Sequence, residues 1–194
     1  MARNKEFDPD VVLDRALEVF WTRGYEATSI SDLVGQLGIG RASLYSTYGS
    51  KHELYLKALD RYVQMRDPVV LNQLSQPGPV LPAVRSLVES YVRDAVDVDH
   101  RGCLVVNAAI ERLPGDAQVA RHVHGSWRTL EVALCSALTR ARAQGELGPG
   151  ADPRELARFL LVMLQGLRVL GKADTDRAVL EAAARQALKV LCGD

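Results

Sequence analysis

Polar and aromatic side chains in one short segment could form hydrogen bonds with a polyanion. Arg41 and Tyr45 are four residues apart, so on a helix they would share one side. The same spacing relates Ser43 to Thr47. An arginine can bond the edge of a guanine through two N–H groups, and hydroxyl groups bond phosphate oxygens. These residue types at this spacing indicate contacts with double-stranded DNA.

Two cations stand where a helix by itself disfavours them. Arg41 and Lys51 fall in the first turns of predicted helices, where the helix dipole opposes a positive charge. The same helix ends present free N–H groups that suit phosphate. A DNA backbone would satisfy the cations and the N–H groups together. The alternative is a pair of exposed charges at a cost of only a few tenths of a kcal/mol.

A second segment with side chains that could react or bind a ligand, DHRGCLVVNAAIE, begins at Asp99. Cys103 opens an apolar helix there, and a cysteine at a helix N-terminus can have enhanced reactivity. Asn107 interrupts the apolar run and could contact a small molecule or bond a neighbouring helix. The alternative for Cys103, which we favour, is a buried and inert residue that packs as a small hydrophobe.

A metal site is a further interpretation of this stretch. Asp97, Asp99 and His100 precede Cys103 within seven residues. Carboxylates near a helix start are usually caps. We therefore predict no metal and no cofactor.

The elements that must position these residues are helices. Apolar residues recur at helical spacing, without clean period-two alternation. Asp8 and Pro9 begin the first helix, and Gly24 ends it. A capping pair, Ser29 with Asp32, begins a short second helix.

A tight turn separates the second helix from a short third one. The turn contains Gly38, and the third helix runs from Gly40 to about Thr47. Ser50 with Glu53 is a further capping pair that begins the fourth helix. Three short helices with this turn form a helix-turn-helix, whose last helix fits the major groove of DNA.

The remainder of the chain also has helical spacing. Three prolines (Pro77, Pro79 and Pro82) predict a linker. Beyond it, helices are predicted for residues 82–98, 102–113, 116–144, 152–171 and 175–192. We expect an all-α fold of about nine helices, with a helix-turn-helix domain over residues 1–52 and a second helical domain over residues 53–194.

The composition is that of a cytoplasmic globular protein. The chain is 47% hydrophobic and 25% charged, and its formal net charge is zero. Lys and Arg also balance Asp and Glu through Arg66, so a basic DNA footprint would be local. The first ten residues lack the apolar core of a secretory signal, and the longest apolar run, FLLVML, is too short to span a membrane. Three cysteines without close pairs fit a reducing compartment.

The segment FWTRGYEATSISDLVGQLGIGRASLYSTYGSKHELYLKAL resembles the DNA-binding domain of TetR-type transcriptional regulators. Their pattern is a helix ending in GY followed by TSI..L....GI....LY..F.SK..L, and it covers about residues 9–60. Gly40 stands where the family often has Ser or Thr, which an N-cap position tolerates. Tyr48 stands where Phe is usual, so we interpret it as packing first and as a phosphate contact second.

By position, the resemblance implies DNA contacts from three successive helices. Arg41 would face the bases and could discriminate guanine by about 1–3 kcal/mol. The second helix and Lys51 would approach phosphates. The implied set is Ser29, Ser31, Arg41, Ala42, Ser43, Tyr45, Thr47, Tyr48 and Lys51.

The resemblance also implies that residues 53–194 dimerise and bind a small-molecule effector. A two-fold axis would place two recognition helices on an inverted-repeat operator. The last two helices could form an intermolecular four-helix bundle, or they could only close the subunit's own core. The predicted interface residues are Leu156, Leu160, Met163, Leu164, Leu167, Val179, Ala183 and Val190.

An effector pocket is expected among the helices of residues 54–138, although a plain core would contain the same residue types. The motif GCL.VN resembles that of a subgroup of TetR-type regulators, some of which respond to electrophiles or oxidants. A small molecule or an electrophile could therefore release the DNA. The effector or redox candidates are Met65, Tyr91, Cys103, Asn107 and Trp127.

Two other functions compete with a ligand-responsive dimeric repressor. One is a helical sensor without DNA binding. The other is an enzyme, but no metalloprotease, phosphate-loop, nucleophile-elbow or paired-carboxylate motif is present. We therefore expect no catalysis.

Overall fold

The computed structural model describes residues 7–96, 101–113, 115–173 and 175–192. Within these ranges the chain forms nine α-helices and no strand, which confirms the all-α prediction. The helices are α1 (Pro9–Arg23), α2 (Ile30–Leu37), α3 (Arg41–Tyr48), α4 (Lys51–Ser75), α5 (Val80–Ala95), α6 (Leu104–Arg112), α7 (Ala117–Ala143), α8 (Pro153–Lys172) and α9 (Arg177–Cys192).

The first helices begin at their predicted caps. Asp8 accepts the N–H of Asp10, and Pro9 is the first residue of α1. Ser29 and Asp32 form a reciprocal capping box at the start of α2. Side-chain oxygens thereby satisfy N–H groups that have no partner within the helix.

The predicted proline linker is shorter in the structure. Pro82 lies within the first turn of α5, where proline's missing N–H would have no helical partner in any case. The Glu146 carboxylate caps this helix from the α7–α8 connection, because it accepts the N–H groups of Val80 and Leu81 at 2.9 Å. The linker therefore reduces to residues 76–79.

Two groups of buried apolar side chains organise the chain. The first joins α1, α2, α3 and the beginning of α4 with α6 and the beginning of α7. The second joins the end of α4 and the remainder of α7 with α5, α8 and α9. The helices α4 and α7 therefore connect the two groups. In the part of the chain that the structure describes, no helix has the length and apolar character needed to span a membrane.

Candidate nucleic-acid interface and effector cavity

The turn between α2 and α3 is held by backbone geometry and burial. Gly38 ends α2 with a φ of 67°, a left-handed conformation that glycine adopts without strain. Gly40 then precedes α3 as its N-cap. The side chains that pack this turn and its helices inward are Leu33, Leu37, Ile39 and Leu44. Their burial leaves the other side of α3 facing solvent.

Several predicted DNA contacts lie on that solvent-facing surface. Arg41, Ala42 and Tyr45 are exposed on α3, and Ser31 is exposed on α2. These side chains can approach a DNA groove without rearrangement of the subunit. Arg41, Ala42 and Tyr45 of the predicted contact set therefore lie together on the exposed side of α3.

Of three other predicted contacts, one is hydrogen-bonded within the subunit and two are partly buried. Ser29 is exposed, but its hydroxyl donates to Asp32 Oδ2 and accepts the Asp32 N–H. Ser43 is half-buried. The Thr47 hydroxyl is buried and lacks a hydrogen-bond partner among the described residues. A phosphate contact by Thr47 therefore requires a different side-chain rotamer.

The structure supports the packing interpretation of Tyr48 over the phosphate contact. Its ring is buried, and its hydroxyl donates a 2.7 Å hydrogen bond to the carbonyl of Pro9. Burial, together with the negative charges of Asp10 and Asp8, raises the pKa of Tyr48 to about 12. Both the ring and the hydroxyl are used within the subunit, so Tyr48 has a packing role.

Residues around α6 hold the end of α1. The Glu111 carboxylate accepts the N–H groups of Tyr25 and Glu26, each at 2.9 Å. The indole N–H of Trp21 donates to the carbonyl of Gly102, also at 2.9 Å. We call these contacts (Trp21, Tyr25, Glu26, Gly102 and Glu111) the α6 clasp. The clasp ties the DNA-binding helices to a helix that also contacts α7 and α8.

Charged groups at the start of α4, the end of α6 and the start of α7 lie beside the clasp. The Lys51 ammonium lies 4.1 Å from the centre of the Tyr25 ring, and the Arg112 guanidinium lies 4.5 Å from the same centre. Asp116 accepts a hydrogen bond from Arg112, and its Oδ2 lies 2.7 Å from His52 Nε2. Burial would raise the pKa of Asp116, but these bonds and a backbone N–H lower it to about 2.

Two of the predicted effector residues, Tyr91 and Trp127, line a small cavity of about 30 Å³ among α4, α5, α6, α7 and α8. Met65 does not, because it is 58% exposed and lines an outer groove beside α1. Arg66 and Val70 of α4 are four residues apart and both face the cavity. Met65 lies on another side of the same helix, outside this candidate cavity.

Cys103 and Asn107, the candidate residues at the start of α6 and within it, are buried. Asn107 donates through Nδ2 to the carbonyl of Arg101 at 3.0 Å, so it satisfies nearby backbone. Cys103 is 1% exposed, and Arg168 Nη1 donates to its Sγ at 2.8 Å. This placement supports the packing role for Cys103. The other residues of the metal interpretation lie outside the described ranges, and they are Asp97, Asp99 and His100.

Gln165 and Arg168 of α8 also line the cavity, and neither is among the residues predicted from the sequence. They are three residues apart, so they share one side of the helix. The Arg168 guanidinium lies 4.1 Å from the centre of the Tyr91 ring. The available sequence signal was a pair of polar residues within the apolar repeat of α8.

The predicted dimer interface is corrected on α8. Leu160, Leu164 and Leu167 are at most 2% exposed, because they fill the subunit's own core. Leu156 and Met163 are half-buried.

A different apolar surface remains open to solvent. Ala183 of α9 is exposed beside Val179 and Val190 on the same helix. The large apolar side chains exposed on α8 and α9 are Phe159, Val162, Val169, Leu170, Val179 and Val190. We call these six residues the α8–α9 face.

Two family profiles match the chain. The family described as "Bacterial regulatory proteins, tetR family" matches residues 12–58. The family described as "Tetracyclin repressor-like, C-terminal domain" matches residues 80–187. The matches include the helix-turn-helix and most of the remaining helices.

Proteins of known sequence or structure agree with these profiles. The uncharacterized HTH-type transcriptional regulator YezE of Bacillus subtilis is 42% identical over 91% of this chain and 93% of YezE. The HTH-type transcriptional repressor ComR of Escherichia coli is 30% identical over 86% of this chain and 80% of ComR. A cysteine mutant of the TetR family transcriptional regulator CifR, complexed with 26bp double-strand operator DNA, is 31% identical with a TM-score of 0.85, over 98% of this chain and 100% of that one. The chain belongs to the TetR family of helix-turn-helix transcriptional regulators.

Proposed function

We propose that the protein is a ligand-responsive dimeric repressor that binds an inverted-repeat operator. The observation that carries the proposal is the exposed group of Arg41, Ala42 and Tyr45 on a short helix whose other side is buried. Two similarities support it, since the CifR mutant is complexed with operator DNA and ComR is named a repressor.

The contacts with DNA divide by chemistry. Arg41 lies at the N-terminus of α3, where its guanidinium can form two hydrogen bonds with guanine. Such a pair discriminates guanine from other bases by about 1–3 kcal/mol. Ala42 and Ser43 follow it toward the bases. Ser31 on α2 and Lys51 at the start of α4 contact phosphates. The free N–H groups at the N-termini of these two helices contact phosphates as well.

In this proposal, residues 1–52 bind DNA, and residues 53–194 bind the effector and dimerise. The α8–α9 face would pack against the same face of a second copy. Its apolar side chains would otherwise remain in water, and burial of apolar area drives association. The resulting two-fold axis would place two α3 helices about 34 Å apart, one turn of DNA.

Release would proceed through α4 and the α6 clasp. The helix α4 begins beside α3 and lines the cavity with Arg66 and Val70. A ligand that fits the cavity better when α4 is tilted would favour the conformation with misplaced α3 helices. The shift is limited by the ligand's difference in affinity between the two conformations.

The test of operator binding is selection from random DNA duplexes by the purified protein. We expect the wild type to recover an inverted repeat and Arg41→Ala to lose it. The control is Arg121→Ala, which removes an exposed arginine from α7 and should recover the same repeat. Failure of the wild type to enrich any sequence, or equal enrichment by Arg41→Ala, would contradict the proposal.

An electrophile is the second candidate for release, because Cys103 is the cysteine of the α6 region and contacts Arg168. N-ethylmaleimide provides the probe, since it alkylates thiols. Release of the selected operator by this reagent in the wild type, but not in Cys103→Ser, would establish the electrophile route. Equal release in both proteins would remove it and leave the small-molecule route.

A further inference from the structure

The cavity contains polar atoms that no group in the described part of the chain satisfies. Both polar atoms of the Gln165 carboxamide are buried without a hydrogen-bond partner, and so is the indole N–H of Trp127. Both residues line the cavity. An unsatisfied buried polar group costs about 1–3 kcal/mol. Three of them around one cavity indicate a missing bonding partner.

Arg168, a cation in the same lining, has no carboxylate within salt-bridge distance in the part of the chain that the structure describes. Arg168 donates to Cys103 Sγ and stacks on the Tyr91 ring. Among the described residues, no Asp or Glu oxygen lies within the 4.0 Å that defines a salt bridge of Arg168. The neighbouring Arg66 is paired with Asp94 at 2.6 Å, and the charge of Asp94 also raises the pKa of Arg168 without a direct ion pair. A partly buried arginine is ordinarily paired, because an isolated buried charge is costly.

We propose that the cavity binds a small organic acid. Its carboxylate would pair with Arg168 and accept hydrogen bonds from the Gln165 amide N–H and the Trp127 indole N–H. The inference deepens the proposed function and rests on it, because this acid would be the effector.

The lining favours an acid over a base or a neutral molecule because it carries the positive charge of Arg168. Its unsatisfied groups comprise two donors, on Gln165 and Trp127, and one acceptor on Gln165. Asp67 is the carboxylate among the lining residues, and it accepts the Ser126 hydroxyl at 3.0 Å. Burial raises the pKa of Asp67, whereas the Ser126 hydrogen bond and the charge of Arg168 act in the opposite direction.

The apolar part of the lining indicates the other end of the ligand. Side chains from three helices surround the polar groups, and they are Val70, Leu71, Val105, Leu130 and Ala133. A short hydrocarbon chain or a single ring would widen the small cavity and bury its surface against these side chains. The expected ligand is therefore amphipathic, with one carboxylate and a short apolar body.

Matched probes isolate the contribution of the carboxylate. Butanoate, octanoate and phenylacetate are each compared with the corresponding primary amide by isothermal titration calorimetry, with the full-length protein and without DNA. The body of each pair is the same, so the affinity ratio reports the head group. We expect at least one acid to bind ten-fold or more tightly than its amide.

Variants of α8 test the residues. Arg168→Met should abolish the preference for the acid, whereas Arg168→Lys, which keeps the charge, should retain part of it. Arg158→Met removes an exposed arginine of the same helix that pairs with Glu131, and it should leave the preference unchanged. Thermal melts identify any variant that fails to fold.

Two results would overturn the proposal: no acid of the panel binds, or the acid preference persists in a folded Arg168→Met protein. Both results concern the cavity alone, because the titrations contain no DNA. Operator selection by the same preparation separates these failures from a failure of the proposed function.

Discussion

The Glu111 carboxylate accepts the backbone N–H of Tyr25 at 2.9 Å, although the two residues are 86 positions apart in the chain. Gly24, the residue before Tyr25, ends α1 with a φ of 83°. A Cβ on Gly24 would lie 2.8 Å from Glu111 Oε1. The end of α1 is therefore formed jointly by its own glycine and by a carboxylate of α6. In the proposed function, this contact passes displacement of α6 to the DNA-binding helices.

Gly24 and Glu111 should be energetically coupled. We expect Gly24→Ala to lower the free energy of unfolding by about 1–3 kcal/mol, because the methyl group is strained at positive φ and displaces the carboxylate. Glu111→Ala should lower it by about 1–3 kcal/mol through two unpaired N–H groups. The double variant should lose less than the sum, since both changes break the same contact.

Urea unfolding of the four proteins measures this coupling. Glu89→Ala, which removes an exposed carboxylate from α5, serves as the control and should change stability by less than about 0.5 kcal/mol. Strict additivity of Gly24→Ala and Glu111→Ala would show that the clasp is not the shared cause.

Tyr48→Phe should weaken folding but leave operator affinity unchanged. Removal of the hydroxyl bond to the Pro9 carbonyl should cost about 0.5–1.5 kcal/mol. Fluorescence anisotropy with the selected operator measures the affinity of folded protein. A loss of affinity greater than a few-fold would return Tyr48 to the set of DNA contacts.

The raised pKa of Tyr48 also predicts a pH dependence. The hydroxyl ionises near pH 10 in the unfolded chain and near pH 12 in the folded one. Its contribution to stability is complete below pH 10 and is lost as the pH rises toward 12. The free energy of unfolding of the wild type should therefore fall more steeply over this range than that of Tyr48→Phe. Parallel curves would contradict the assignment.

Asp116 should account for part of the fall in the free energy of unfolding at acid pH. Its pKa is lowered from 3.8 to about 2 in the folded protein. The stabilisation is complete above pH 4 and is lost as the pH falls toward 2. Asp116→Asn keeps a side chain that can cap α7 but removes the charge. Its urea midpoint should change less than that of the wild type between pH 4 and pH 2, and an equal change would exclude Asp116 as the titrating group.

The helix ends were predictable because local chemistry determines them. Asp8, Ser29 and Ser50 each cap the helix that the sequence predicted, since a cap needs only a few neighbouring residues. The exposed side of α3 followed in the same way from the spacing of Arg41 and Tyr45. These features depend on residues within about one helical turn.

The dimer surface and the cavity were not predictable in this way. Apolar residues occupy more than one side of α8, and periodicity shows which of them share a side but not which side enters the subunit's core. Leu160 and Leu164 face inward, whereas Phe159 and Val162 face outward. The role of Gln165 likewise depends on α7 and α5, which are distant in sequence. Long-range packing therefore decides what the local pattern leaves open.

Val162 provides the sharpest test of the proposed dimer, because it is 72% exposed in the centre of α8. Val162→Glu should dissociate the dimer, since association would bury a carboxylate in an apolar interface. Val69→Glu on α4, a residue with a comparable exposure of 63%, is the matched control and should remain dimeric. Sedimentation velocity distinguishes monomer from dimer at micromolar concentration. A dimer that survives Val162→Glu would exclude the centre of the α8–α9 face from the interface and require the two copies to meet elsewhere.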